Sequence, residues 1–372
     1  MRIAYGVMGY GRGHAMRTSA VLPELMREHE VKVFAGRDAY LALKDRFPCE
    51  GLPVIGYQYD PSGRLSAPLT LRRNAGLTAD LLTNGPVTRE VARRLDRFAP
   101  DLVISDSETW THRYARSAGI PRIGFDHVGI MAFCKCDYAP EDWLRGPRDA
   151  LGYRTFMGKP ERVLVSSFYP AEPRMAGVKL VGPILRDSVL AAHSIRGDYL
   201  LAYFNKGEHQ FSSALETVLR SCGERIIIYG TPRRGISGKL DFRAPANEAF
   251  VQDLAGCKGL ISTSGNQLLS EAIALGKPVL TMPEDVVEQR LNARAVVNMG
   301  VGVQAQLSRL NLTVLGEFLS RLDEYAGNTH QHRRDGRAQA LRELRRFIAE
   351  LGHIGHSVHS ESKPFARLLG AY

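Results

Sequence analysis

The sequence predicts an α/β fold: two tandem Rossmann-like, doubly wound domains facing a cleft. Three observations predict it. Short apolar, β-rich runs alternate with helical patterns through both halves of the chain. The 372 residues exceed one ordinary core and suit two domains of roughly 150–200 residues. Between the halves, Gly182-Pro183 in "VGPILRDS" (181–188) breaks both helix and strand. The expected divisions are 1–183, 184–345 and a tail, 346–372, free to pack back on the first domain.

The strand candidates of the first half are Ile3–Val7, Val31–Phe34, Leu102–Ser105, Arg122–Phe125 and Arg162–Ser166. Those of the second half are Tyr199–Phe204, Arg225–Tyr229, Gly259–Ser262 and Pro278–Met282. The segments between them carry helical patterning, so the strands belong to βαβ units in parallel sheets. Segment 60–90 is the least regular, and "YDPSGRLSAPLT" (59–70) reads as a mobile loop. There is no short-period repeat and no low-complexity tract.

With 44% hydrophobic and 24% charged residues, the composition is that of an ordinary globular chain. No apolar stretch approaches the ~20 residues of a membrane span. The first residues lack the features of a signal peptide, so a cytoplasmic location is expected. Five cysteines scattered over the chain fit free thiols. Cys134 and Cys136 alone do not make a four-ligand metal site. The formal charge is +10, and much of the excess sits near the end, in "HRRDGRAQALRELRRF" (332–347). That run reads as a solvated basic helix face. Attraction to an acidic substrate or an anionic membrane surface is the sharper alternative. No nucleic-acid motif is present, and nucleic acid is not an expected partner.

In open α/β sheets, ligands bind beyond the carboxyl ends of the strands. The first such loop reads "GYGRGH" (9–14). A dinucleotide fingerprint would place its third glycine at position 14 or 16, and these are His14 and Met16. The Gly-Lys-Ser/Thr ending of a P-loop is also missing. What remains is a tight glycine turn that sets His14 at a helix start, facing the cleft. A neutral imidazole there can accept a proton from a hydroxyl. The competing reading is a histidine that caps its own helix. A base needs an orienting partner, and "DLVISDSE" (101–108) supplies Asp106 directly after a second buried run, with Glu108 as its rival. Asp106-Ser107-Glu108 is too thin an acidic set to predict a metal.

Residues 259–292 read "GLISTSGNQLLSEAIALGKPVLTMPEDVVEQRLN". Thr263, Ser264 and Gly265 form a small polar turn, and a helix starts at Asn266. Its free N–H groups and positive dipole end make an anion site. Glu271 lies about 9 Å further along the helix axis. A diphosphate at the helix start would leave a ribose near that carboxylate. Glu288, Gln289 and Asn292 follow the next strand, and amides that both donate and accept suit a polyol such as a sugar.

These segments carry a resemblance. "GYGRGHAMR" (9–17), "VGPILR" (181–186), "SGNQLLSEAIALGKPVLTMP" (264–283) and "EQRLNA" (288–293) resemble GT-B glycosyltransferases. The likeness is strongest to the enzyme that adds N-acetylglucosamine to the peptidoglycan lipid precursor and to its relatives. It spans nearly the whole chain. It implies that Gly13, Thr263, Ser264, Gly265 and Asn266 meet the donor diphosphate region. It further implies that Glu271 meets the ribose, and Glu288, Gln289 and Asn292 the donor sugar. His14 takes the base position, with Asp106 as its partner. Two positions depart from the pattern: Thr263 stands where many relatives carry histidine, and Leu268 where a hydroxyl residue is common. Uridine is the favoured donor base, with thymidine and guanosine open. Segment 241–257 resembles the loop that holds the base through backbone groups and Phe packing.

The resemblance implies an inverting, metal-independent hexosyl- or N-acetylhexosaminyltransferase. The donor, a nucleotide-diphosphate sugar, lies on 184–345. The acceptor, a small molecule or a lipid-linked hydroxyl compound, lies on 1–183. No cofactor is implied. A lipid-linked acceptor would bring peripheral contact with the inner face of a membrane. Gly11, Arg12, Arg17, His127 and the loop at 60–75 are the candidate acceptor contacts. Two other readings keep the fold. A nucleotide-sugar hydrolase also carries Gly-x-Gly-His-x-x-Arg, matched by Gly11 to Arg17, with water as the acceptor. A sugar-nucleotide-binding protein without turnover would not need the His14–Asp106 pair.

Overall fold

The computed structural model describes residues 1–60, 66–204, 207–244 and 246–359. Two seven-stranded sheets dominate them. In the first, the order is Cys49–Leu52, Glu30–Gly36, Arg2–Val7, Leu102–Asp106, Arg122–Asp126, Arg162–Ser166 and Val178–Val181. Every neighbouring pair is parallel. In the second, the order is Gly235–Ser237, Leu240–Arg243, Arg225–Tyr229, Tyr199–Tyr203, Gly259–Ser262, Val279–Thr281 and Gly302–Gln304. Only the edge strand Gly235–Ser237 runs antiparallel.

The central strands are continuous apolar runs because both of their faces are covered. All five residues of Leu102–Asp106 and of Arg122–Asp126 are buried. Alternation sorts the first sheet into two cores. Ile3, Tyr5 and Val7 pack with the helix Gly13–Glu28, while Ala4, Phe34 and Val103 pack with Pro86–Phe98 and Thr109–Ala118. In the second sheet, Leu200 and Ala202 face Ser213–Ser221 and Leu312–Ser320, and Leu201 and Leu260 face Asn247–Gly256 and Asn266–Ala274.

The last helix, Arg337–His359, returns to the first domain. Its Ala340, Leu344, Phe347 and Leu351 sit in the same core as Ile3 and Tyr5. The expected boundary at 345/346 therefore falls inside a helix whose earlier turns already belong to the N-terminal core. Residues 360–372 of the expected tail lie outside the described residues. The two chain crossings run side by side, with Gly336 N–H donating to the Pro183 carbonyl at 2.7 Å.

Segment 60–90 corrects the expectation of irregularity. It holds the helix Ala67–Thr83 and the start of Pro86–Phe98. Each helix has a proline in its first turn, where a missing N–H costs nothing. Residues 61–65 of the expected mobile loop lie outside the described residues.

In the first sheet the strand order reverses between Arg2–Val7 and Leu102–Asp106, which pair Val7 with Asp106. In the second it reverses between Tyr199–Tyr203 and Gly259–Ser262, which pair Tyr203 with Ser262. Ligand crevices of doubly wound sheets open at such switch points.

Candidate active site

The loop after Val7 turns at Gly11, whose φ of +80° favours glycine. Its N–H donates to Asp38 at 3.2 Å. The helix then starts at Gly13, with Arg12 as its cap residue. A Cβ on Gly13 would lie 3.4 Å from the Cβ of Gln267, so this helix start abuts the second domain. His14 follows in the first turn with its side chain 17% exposed.

His14 Nδ1 lies 2.6 Å from Asp106 Oδ1. An ionised carboxylate only accepts, so Nδ1 carries the hydrogen and Nε2 keeps its lone pair in the neutral ring. Asp106 is fully buried at the end of its strand. It also accepts Arg17 Nε at 2.9 Å and Nη2 at 2.6 Å. Burial pushes the Asp106 carboxyl up, but the Arg17 guanidinium and His14 outweigh it and hold the carboxyl below its ordinary value. Glu108, the rival partner, instead caps the helix Thr109–Ala118 by accepting from Trp110 N and Thr111 N.

Arg17 is therefore not an acceptor contact, contrary to the sequence expectation. It is 3% exposed and committed to Asp106. The reason is helical spacing. Three residues apart, His14 and Arg17 share a face, and both meet the one carboxylate at the switch point. His127 is corrected in the same way. Its ring is 3% exposed, with Nδ1 2.8 Å from the Ser166 carbonyl and Nε2 2.8 Å from Asn292 Oδ1. Neither nitrogen is left for an acceptor. Arg12 remains on the surface, where Nη1 donates to Asn247 of the second domain at 3.4 Å.

Across the cleft, Gly265 precedes the helix Asn266–Ala274, and no side chain caps it. Ser264 Oγ and Asn266 Oδ1 are buried and have no hydrogen-bond partner. The unpartnered Ser264 hydroxyl, which can donate, beside an uncapped helix start fits an anion, whereas Asn266 Oδ1 only accepts. Thr263 is buried beside them. Among the described residues, no group of three or more His, Cys, Asp or Glu is placed to hold a metal ion. No helix among them is long and apolar enough to cross a membrane.

Glu271 is 2% exposed, and its carboxylate is already taken. Arg186 donates to it through Nε at 3.0 Å and Nη2 at 2.7 Å, and Gln267 Nε2 donates at 3.0 Å. The role of Arg186 was not read from the sequence. Gln289 folds back on its own loop, accepting Glu284 N–H at 2.9 Å. Asn292 Nδ2 donates to the Ser264 carbonyl at 2.9 Å and to Glu288 at 2.5 Å. Glu288 is partly buried, its side chain 16% exposed, and desolvation pushes its carboxyl up to about 7. Two further contacts bridge the domains and also went unread. Arg290 grips Asp142 at 2.7 and 2.5 Å, and Tyr59 donates to Glu284 at 3.0 Å.

The site thus joins a histidine–carboxylate pair on one switch point to an anion site on the other. A family model described as glycosyl transferase family 1 matches residues 1–323. The chain belongs to that family. A relative from Methanosarcina acetivorans, described as an uncharacterized glycosyltransferase, is 25% identical over 330 residues, 81% of this chain and 85% of its own. Among solved structures, UGT2 of Phytolacca americana, complexed with UDP-2-fluoro-glucose and pterostilbene, has a TM-score of 0.64. It is 14% identical and covers 94% of this chain and 99% of its own. A Streptomyces sp. SF2575 glycosyltransferase complexed with thymidine diphosphate has a TM-score of 0.61. It is 17% identical and covers 93% and 99%. The structural likenesses establish the fold, which is GT-B; family membership makes this chain a glycosyltransferase.

Proposed function

We propose that this glycosyltransferase moves a sugar from a nucleotide diphosphate to a hydroxyl acceptor, with inversion and without a metal. The observation that carries the reading is the 2.6 Å His14–Asp106 pair facing the uncapped helix start at Gly265. His14 Nε2 takes the acceptor proton as the new C–O bond forms. The anomeric C–O bond to the diphosphate breaks on the opposite face. The charge gathered by the leaving diphosphate is met by the helix N–H groups and Ser264 Oγ. Gly13, at the junction of the two helices, is where acceptor and donor approach. Arg12, Gly11 and the 60–75 region remain on the acceptor side.

Glu271 faces the ribose in this reading, and the Arg186 guanidinium that it holds turns toward the diphosphate region. Glu288, Gln289 and Asn292 meet the donor sugar once Gln289 releases Glu284. Uridine is favoured by the sequence resemblance, and thymidine is the base in one structural neighbour. The transferred group is a hexosyl or N-acetylhexosaminyl unit, with no other cofactor, and the acceptor is a small molecule or a lipid-linked compound. The site is reached from the cytoplasm. Product analysis with uridine and thymidine diphosphate sugars, with and without hydroxyl acceptors, tests the reading. A glycosylated acceptor supports it. Equal release of free sugar in every reaction would make the protein a hydrolase, with His14 activating water. Binding without turnover would remove catalysis altogether.

A further inference from the structure

We propose that His127 is a positioning residue: as an imidazolium on the first domain it holds Asn292 of the second, so that cleft closure takes up a proton. The Ser264 carbonyl can only accept, and it lies 2.9 Å from one end of the Asn292 amide. That end is the NH2, so the oxygen faces His127 Nε2 at 2.8 Å. The Ser166 carbonyl, 2.8 Å from Nδ1, also only accepts. Both ring nitrogens must donate, and only the imidazolium does so. The counter-charge is in place, with Glu288 Oε1 3.4 Å from Nε2.

The groups facing the ring come from several elements. Asp126 adjoins it on its own strand but is engaged by Ser107, Tyr153 and the Gly129 N–H. Tyr169 meets it edge-on, with centroids 5.9 Å apart. Arg17 and His14 oppose its charge from the first helix, and Glu288 with Asn292 faces it from the helix Val287–Asn298. Burial opposes either charge alone, pushing His127 down to about 4 and Glu288 up to about 7. Together they hold one proton and carry no net charge. Without that proton, Nε2 and Asn292 Oδ1 are two lone-pair atoms at contact distance, beside the Glu288 carboxylate. That arrangement is relieved by opening the cleft. Closure is therefore favoured while the pair holds its proton and weakens as rising pH removes it.

The test uses the full chain without ligand. Histidine NMR reads the protonation of His127 across the neutral range, and small-angle X-ray scattering reads the radius of gyration. An imidazolium signature below neutral pH is expected, lost together with a rise in radius. In Glu288→Gln the His127 midpoint falls by about one unit or more. In His127→Gln, whose amide donates without titrating, the radius no longer follows pH. A neutral His127 in the closed protein at pH 6, or the same radius change in His127→Gln, overturns the proposal. The consequence for the donor rests on the reading of Asn292 given above. Affinity for a uridine diphosphate sugar that ignores pH while the radius responds would overturn that reading and leave the proton linkage standing.

Discussion

Asp106→Asn separates the two tasks of this carboxylate. In the wild type it accepts one bond from His14 and two from Arg17. The substitution removes the charge and leaves a guanidinium that is 3% exposed without a counter-ion. Leaving a buried charge unpaired costs about 3–5 kcal/mol. At about 2–4 °C per kcal/mol, the melting temperature falls by roughly 6–20 °C. The amide has one oxygen, and the Arg17 donors claim it. Its NH2 then faces His14 Nδ1 and drives the ring proton onto Nε2. The base lone pair no longer faces the acceptor, so turnover falls by about two to four orders of magnitude. Adding Arg17→Met removes the orphaned charge and recovers much of the stability while turnover stays low. Calorimetry and initial rates on the wild type, the single variant and the double variant are the assay. The wild-type carboxyl lies below its ordinary value, so its stabilisation is complete above the unfolded pKa of about 3.9 and is lost as pH falls through the folded one. That acid-sensitive component should be missing in Asp106→Asn. A single variant as stable as wild type, or a double variant no more stable than the single one, would refute the account of Arg17.

His14→Ala should lower turnover by about two to four orders of magnitude and leave donor affinity nearly unchanged; unchanged turnover at saturating acceptor removes His14 from the mechanism. Transfer should persist in excess chelator, and activity that vanishes and returns with magnesium or manganese would end the helix-start account of the leaving group. Glu271→Ala should weaken donor affinity at least about tenfold, less for a donor lacking ribose hydroxyls. Because Glu271 also holds Arg186, Arg186→Met belongs beside it. An equal loss in Arg186→Met that ignores the ribose hydroxyls would mean that Glu271 acts only through the arginine.

How much of this was legible follows from where the information sits. Arg162–Ser166, Arg225–Tyr229 and Gly259–Ser262 are read to the residue because strands covered on both faces are unbroken apolar runs. Cys49–Leu52, Val178–Val181 and Gly302–Gln304 were missed. Each keeps exposed or half-exposed positions toward the sheet margin, so "CEGL", "VKLV" and "GVQ" carry no such run. The helix Ala67–Thr83 was missed for the same kind of reason. Its buried residues are only Asn74 and Leu81, too few to make a stripe.

The site divides along the same line. His14 and Asp106 were paired from sequence because each follows a central strand, and topology alone brings adjacent strand ends together. The Arg17 error was avoidable: three residues beyond a histidine, on a helix start aimed at a buried acid, an arginine shares that acid. The contacts made by closure had no comparable signal. His127 to Asn292, Tyr59 to Glu284 and Arg290 to Asp142 join segments that share neither a sheet nor a helix. They depend on how two separately folded sheets meet, and no local periodicity encodes that. Yet these are the contacts that set the distance between the base and the anion site. In the proposed mechanism, the reacting groups are strand-end residues that sequence reveals, and their spacing is set in a domain seam that only coordinates reveal. A substitution in the seam should therefore alter how often the two halves of the site meet, and one at a strand end should alter what happens when they do.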